Sequence, residues 1–362
     1  MRAGYGEALR GYFASKTNPI MLVDFAGIKI FDAITVEANI LLSQKAANIF
    51  NTQACLVQDS NGLNNLSDFV QQQGVKCNFA DSIPWVILSP IEQSIKQKIE
   101  SVGIPLKDWN IQINYGIKTG FNDAFIISTE KRDEILANCQ TEDERVRTAE
   151  LIRPILRGRD IKRYEYEWAD LWIIATFPSR HYDIESYPAV KNYLLSIGIE
   201  RLEQTGETHI VNGKKIKARK KTSNEWFETQ DSISYWEDFS KPKIVWGNLN
   251  LTASYAMVQD NSFINAPSPV IVPASKFLLA VLNSKLADYY IRQLGVTRNG
   301  GYFEYKPMFV EKLPVPQNAD TKAVTDIESY VDSKNETAID KAVYMLYGLT
   351  EEETLYIDKK GR

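Results

Sequence analysis

The sequence predicts a mixed α/β fold of the α+β kind: the closing piece of a larger sheet, then an irregular sheet with flanking helices, then terminal helices. Two observations carry that expectation. Short apolar, β-branched runs alternate with segments of helical periodicity, and Pro and Gly punctuate the chain into short elements. The 362 residues carry 42 Lys+Arg against 46 Asp+Glu with 44% hydrophobic residues. Such composition excludes a disordered acidic tail, a fibrous repeat and a small disulfide-stapled scaffold, and the length suggests two or three domains.

Segment 2 to 15 has a helical stripe of Tyr5, Leu9, Tyr12 and Phe13, followed by strand-like runs at Ile20 to Phe25, Ile28 to Phe31 and Ile34 to Leu42. One helix and a few strands cannot bury themselves, so this region reads as the edge of a sheet whose earlier strands are missing. Asn18-Pro19-Ile20 reads as a loop. Ser89-Pro90-Ile91-Glu92 is a capping box with Pro at the first helical position, opening a helix with Ile91, Ile95, Ile99 and Val102 on one face. Strands are expected at Asn110 to Ile117 and Ala124 to Ser128 around the turn Lys118-Thr119-Gly120-Phe121-Asn122, and helix from Glu130 to Leu151. Further strands fall at Leu171 to Phe177, Lys243 to Trp246 and Ala253 to Met257, and one helix from Ser275 to about Leu294. After Pro314-Val315-Pro316, Ile327, Val331, Ile339, Val343 and Leu346 form a near-heptad stripe, and Thr350 to Glu353 caps a last short helix.

Cys55, Cys77 and Cys139, odd in number and without a CxxC spacing, read as reduced thiols. The apolar runs are far shorter than the roughly 18 residues a membrane span needs, so no membrane partner and a cytoplasmic location are expected. Residues 151–310 carry 21 basic and 17 acidic groups while each flank is net acidic, so a polyanion would be drawn to the middle.

Lys214-Lys215-Ile216-Lys217-Ala218-Arg219-Lys220-Lys221 places six cations in eight residues without an acid. Such a block reads as an exposed loop, either solubilising or contacting phosphates, and the nearby rings of Trp226 and Phe227 favour a nucleic-acid face. Arg153, Arg157, Arg159, Lys162 and Arg163 form a second cluster, broken by Pro154 and Gly158. Its guanidiniums could bind phosphates or guanine edges, or tie the loop to Glu150 and Asp160. Arg298-Asn299-Gly300-Gly301-Tyr302 joins a guanine-reading and an adenine-reading residue type to a Gly pair, and also fits a plain turn. No Gly-rich nucleotide loop occurs, and His181 and His209 are 28 residues apart, so neither catalysis nor a metal site is expected. Glu304 and Lys306 alone suggest a nuclease pair.

The run Gly116-Ile117-Lys118-Thr119-Gly120-Phe121-Asn122-Asp123-Ala124-Phe125, followed by Leu151-Ile152-Arg153-Pro154-Ile155-Leu156-Arg157-Gly158-Arg159-Asp160-Ile161, resembles the TaqI-like C-terminal specificity domain. That family closes N6-adenine DNA methyltransferases and fused type IIG restriction-modification enzymes. Tyr187-Pro188 through Leu194, Leu282 to Leu286, and Gly301 to Pro307 leading to Leu313-Pro314-Val315-Pro316 agree in order. Val23-Asp24-Phe25 and Ile30 to Ala33 are similar to the end of the methyltransferase domain, but the Gly-rich cofactor loop and the Asn-Pro-Pro-aromatic motif do not occur.

The resemblance implies three regions: 1–100, the end of a methyltransferase-like domain; 101–316, a DNA target-recognition domain; and 317–362, a C-terminal helical region. It implies double-stranded DNA and a methyltransferase or nuclease domain, in the same or another chain, as partners. No cofactor is expected in this chain, S-adenosylmethionine belonging to the missing methyltransferase part. The DNA-contacting candidates are Lys118, Thr119, Asn122, Arg157, Arg159, Lys162, Arg163, Lys214, Lys215, Lys217, Arg219, Lys220, Lys221, Trp226, Arg298, Asn299 and Lys306. The alternative is a protein-interaction scaffold in a larger phage-defence assembly, joined through the C-terminal stripe.

Overall fold

The computed structural model describes residues 6–25, 28, 30, 31, 38–57, 61–295 and 298–360, except the side chains of residues 61, 62 and 299. Helices and open sheets mix throughout, and the chain divides into two compact units at Gln97/Lys98. The division falls inside the helix Pro90–Val102, whose capping box is formed: the Ser89 N–H donates to Glu92 Oε2 at 2.8 Å, and the Glu92 N–H to Ser89 Oγ at 3.4 Å.

The first unit is built on the strand Asn18–Asp24, paired antiparallel with Asn39–Gln44 and parallel with Thr52–Leu56, which in turn pairs with Val75–Cys77. Alternate side chains feed two cores. Leu22 and Ala54 meet Phe79 and Trp85 on one side, while Val23 and Cys55 meet Val57 and Val70 on the other. Asn18-Pro19-Ile20 is therefore the start of a buried strand and not a loop, with Asn18 Oδ1 accepting from the Ile49 N–H. The expected helical stripe is also corrected. In Glu7–Lys16 it is Arg10 and Ala14 that are buried, while Leu9 and Tyr12 are exposed. Ile28, Ile30 and Phe31 are not strand residues; Tyr5, Asp32, Ala33 and residues 34–37 lie outside the described residues.

The second unit packs two four-stranded sheets around one core. One runs Tyr255–Val258, Lys243–Trp246, Pro269–Val272, Gln112–Tyr115; the other runs Phe263–Ile264, Ile152–Leu156, Leu171–Ile174, Ile126–Ser128. Ile155 and Ile173 from one meet Val245, Ala256 and Val270 from the other. The outer face of the second sheet, through Ile152 and Ile174, is covered by Phe125, Val190 and Leu194, the last two on the helix Pro188–Ile197.

Two long helical patterns prove to be pairs. Residues 129–151 break between Thr129–Ala137 and Glu142–Leu151, where Thr141 Oγ1 accepts from the Glu144 N–H and buried Glu144 bridges to Gln140 and Ala189. The expected helix from Ser275 to Leu294 breaks at Ser284, which caps Lys285–Gln293, because buried Asn283 exchanges two 2.9 Å hydrogen bonds with the Tyr255 backbone. The C-terminal stripe turns inward: Ile327, Ile339 and Val343 are fully buried, and their helices Thr321–Asp332 and Glu336–Leu346 pack against each other and against Lys276–Asn283.

Lys243 is fully buried, its Nζ donating to the Phe239 and Asp260 carbonyls at 2.7 Å each. Burial pushes its ammonium down to about 8, against the opposing pull of Asp260. Between that value and the ordinary lysine range near 10.4 the unfolded chain binds the extra proton, so this residue adds stability as pH rises. Denaturant titrations from pH 7.5 to 9.5 are expected to show that rise in the native protein. The rise is flattened in Lys243→Met; equal slopes would remove Lys243 as its source.

Candidate nucleic-acid interface

The basic block is not a loop. Lys214–Lys217 pairs antiparallel with Thr208–Val211, in the register Thr208 with Lys217 and Ile210 with Lys215. The two strands are joined by Asn212 and Gly213, both at positive φ (48° and 74°). That is the turn geometry Asn-Gly favours in a two-residue hairpin, and it was the sequence signal for this element. Lys214, Lys215 and Lys217 are exposed, as are Lys220 and Lys221 beyond the strand. None of the five has an acidic partner among the described residues. Ile210, 74% exposed, stands opposite Lys215, so one face of the ribbon presents apolar surface between ammonium groups.

A lone two-stranded ribbon is marginal in water, and Arg219 is what fastens this one. Its Nε donates to the Leu202 carbonyl at 2.7 Å, Nη1 to the carbonyls of Thr119 (2.8 Å) and Glu228 (2.7 Å), and Nη2 to Trp226 (2.7 Å). Burial, with Arg201 adding to it, lowers its guanidinium to about 10, still charged at neutral pH. Arg219 therefore leaves the DNA-contacting set: at 2% exposure with its fork spent on four carbonyls, it has no donor face for a phosphate. The ribbon's foot is closed by the Arg219 N–H to Glu203 O and by Arg201 Nη1 to Lys217 O.

The turn after Gln112–Tyr115 is fixed by the same arginine. Gly120 sits at φ 79°, and a Cβ there would fall 3.1 Å from Arg219 Cδ and 2.9 Å from Gln230 Oε1, so this position requires glycine. Thr119 is also corrected. It is fully buried, its hydroxyl donating to Asn122 Oδ1 at 2.7 Å and accepting from the Phe121 N–H. Lys118 and Asn122 are exposed beside it. Trp226 is half-buried, edge-on to buried Phe227 at 5.7 Å and packed into the core with it, so it does not offer the free ring expected of it.

The second cluster is mostly satisfied internally. Arg157 grips Asp160 with two bonds, Nε at 2.9 Å and Nη2 at 2.8 Å, and its guanidinium is raised above its ordinary range first by that hydrogen bond. Arg163 binds Glu336 at 2.7 Å and the Ala253 carbonyl at 3.1 Å. Both act as tie points within the fold, the second of the two uses the sequence allows for this cluster. Lys162 reaches back to the Arg159 carbonyl, leaving the Arg159 side chain exposed without an acidic partner among the described residues.

Arg298 opens a turn through Gly300 and Gly301, at φ 76° and 83°, into the ribbon formed by Phe303–Glu304 and Leu249–Asn250. Glu304 bridges Arg298 (2.9 Å) and Lys306 (2.7 Å), which together hold its carboxyl below the usual range, Lys306 first. Arg298 nevertheless keeps 61% side-chain exposure. Behind the turn Asp288 receives Arg292 Nε at 3.1 Å on both oxygens and the Tyr305 hydroxyl, which anchors the ribbon to the helix Lys285–Gln293. The Asn299 side chain lies outside the described residues. Sequence reading missed Asp288, Arg292 and Tyr305, whose spacing carries no local signal for a shared buried cluster.

Residues 153–315 match the family model of the TaqI-like C-terminal specificity domain. The chain is 22% identical over 299 residues to the type II methyltransferase M.XhoI of Xanthomonas vasicola, covering 80% of this chain and 49% of that protein. It is 21% identical over 286 residues to M.PaeR7I of Pseudomonas aeruginosa, covering 77% and 45%. The chain thus spans about half the length of the curated relatives it matches. Among solved structures it overlays the type IIG restriction endonuclease BpuSI (TM-score 0.44, 11% identity, 98% of this chain and 45% of that one). It also overlays the type IIL restriction-modification enzyme MmeI in complex with DNA (TM-score 0.49, 11% identity, 95% and 46%).

Proposed function

We propose, on the premise that residues 153–315 are a TaqI-like C-terminal specificity domain, that this chain is the sequence-specific DNA recognition region of an N6-adenine DNA methyltransferase or type IIG restriction-modification enzyme. The observation that carries the reading is the hairpin of Lys214, Lys215 and Lys217, exposed cations without an acidic partner among the described residues, held out on a ribbon pinned by a buried arginine. Phosphate contacts from these lysines, with Lys220, Lys221, Lys118, Arg159 and Lys162, position the duplex. Asn122, Arg298 and Asn299 read base edges, and Lys306 sets Arg298 through the shared Glu304.

In this reading 1–100 is the end of a methyltransferase-like domain, 101–316 the recognition domain and 317–362 a helical support, acting in the bacterial cytoplasm. No described helix is long and apolar enough to cross a membrane. S-adenosylmethionine would belong to the methyltransferase part, whose site these residues do not fit: Asn18, the nearest match to the base-gripping Asn, is locked in a strand by Ile49. Flipping of the target adenine falls to that part too. The scaffold reading loses most of its support, since Ile327, Ile339 and Val343 of the stripe that carried it are buried within the second unit.

The test is Arg298→Ala, measured against the preferred duplex and its single-base-pair variants. Discrimination is expected to fall at one position by about 1–3 kcal/mol and to stay unchanged elsewhere. Uniform weakening across all variants would make Arg298 a phosphate contact and sink its reading role.

A further inference from the structure

A cavity of about 320 Å³ opens in the second unit beyond the end of the strand Leu171–Ile174, beside the turn Pro178–Arg180 and the helical segment Trp236–Ser240. Three arginines reach it, Arg147, Arg153 and Arg180, against one carboxylate, Glu150. Arg147 spends one N–H on the Ser186 carbonyl at 3.2 Å, and none of the three has an acidic partner among the described residues. The wall is aromatic. The Arg180 guanidinium lies 4.1 Å from the Trp236 ring centre, and Tyr182 and Tyr187 meet edge to face at 5.9 Å. Burial pushes the Tyr187 hydroxyl up, with Tyr182 and Glu150 adding and Arg147 and Arg180 opposing, so these groups surround one space.

Unpaired guanidiniums answer an anion, and a stacked guanidinium and indole answer a flat ring. A carboxylate only accepts hydrogen bonds, and guanine sets its N1–H and N2 amino donors side by side. We propose that this cavity is a guanine-nucleotide subsite: the base lies against the Arg180–Trp236 pair, its donor edge on Glu150, and the phosphate on Arg147 and Arg153. The subsite shares no lining residue with the lysines of the hairpin, and its failure would leave that reading intact.

Calorimetric titration of the full chain with GMP, guanosine, inorganic phosphate and a five-nucleotide strand of thymines around one guanine tests it. GMP or the strand is expected to bind at least about tenfold tighter than guanosine or phosphate alone. The double variant R147A/R180A, at exposed positions and with its thermal midpoint unchanged, is expected to lose that advantage. Binding by GMP identifies a free nucleotide as occupant, and binding by the strand alone identifies an unpaired nucleotide within nucleic acid. Phosphate matching both guanine probes, binding unchanged in R147A/R180A, or no binding of either guanine probe would overturn the proposal.

Discussion

Arg219→Met is expected to destabilise the second unit by about 3–5 kcal/mol, because it strips one shared donor group from four backbone carbonyls. The guanidinium answers four carbonyls from three separate segments: Leu202, Thr119, and the pair Trp226 and Glu228. Met fills similar volume but donates nothing, and each orphaned buried carbonyl costs about 1–3 kcal/mol before relaxation admits water. Arg219→Lys keeps the charge on a point with three donors and cannot span the same four acceptors, so an intermediate loss is expected. Urea denaturation reads both. A midpoint within experimental scatter of the native one would mean that the hairpin is fastened elsewhere.

Reversing Lys214, Lys215 and Lys217 to Glu is expected to weaken duplex binding at least roughly tenfold for every sequence. It should also flatten the dependence of log K on log salt by as much as about 2.7, at about 0.9 per phosphate contact. The side chains are exposed and their ribbon is held by its turn and by Arg219, so fold and thermal midpoint should change little. Unchanged slope and affinity would remove the hairpin from the interface. The two variants separate clamp from contact: Arg219 acts through stability and ribbon geometry, the lysines through charge alone.

The sequence shows where the basic block lies, but six cations in eight residues do not reveal which one turns inward. Lys214 and Arg219 differ through their surroundings: only Arg219 meets carbonyls from distant segments, and no local pattern encodes that meeting. The hairpin itself was legible in Asn212-Gly213, a signal passed over in reading the lysine block as an exposed loop. Arg157 and Asp160, three residues apart, could be weighed as a local pair and prove to be one. Arg163 could not, since Glu336 lies far along the chain.

Helices showed the same limit. Capping boxes at Ser89 and Thr350 are local and formed as read. Apolar periodicity, by contrast, runs straight through Ser284, because the break comes from Asn283 binding the Tyr255 backbone and not from a change of pattern. The outward Leu9 and Tyr12 show the converse: a stripe marks which residues share a face, not whether that face is covered.

The most direct test of the recognition reading is retention of duplexes from a random pool by the purified chain at graded salt, with sequencing of what remains at the highest. The account predicts affinity that falls steeply with salt and a single short enriched motif. No retention even at low salt would contradict it.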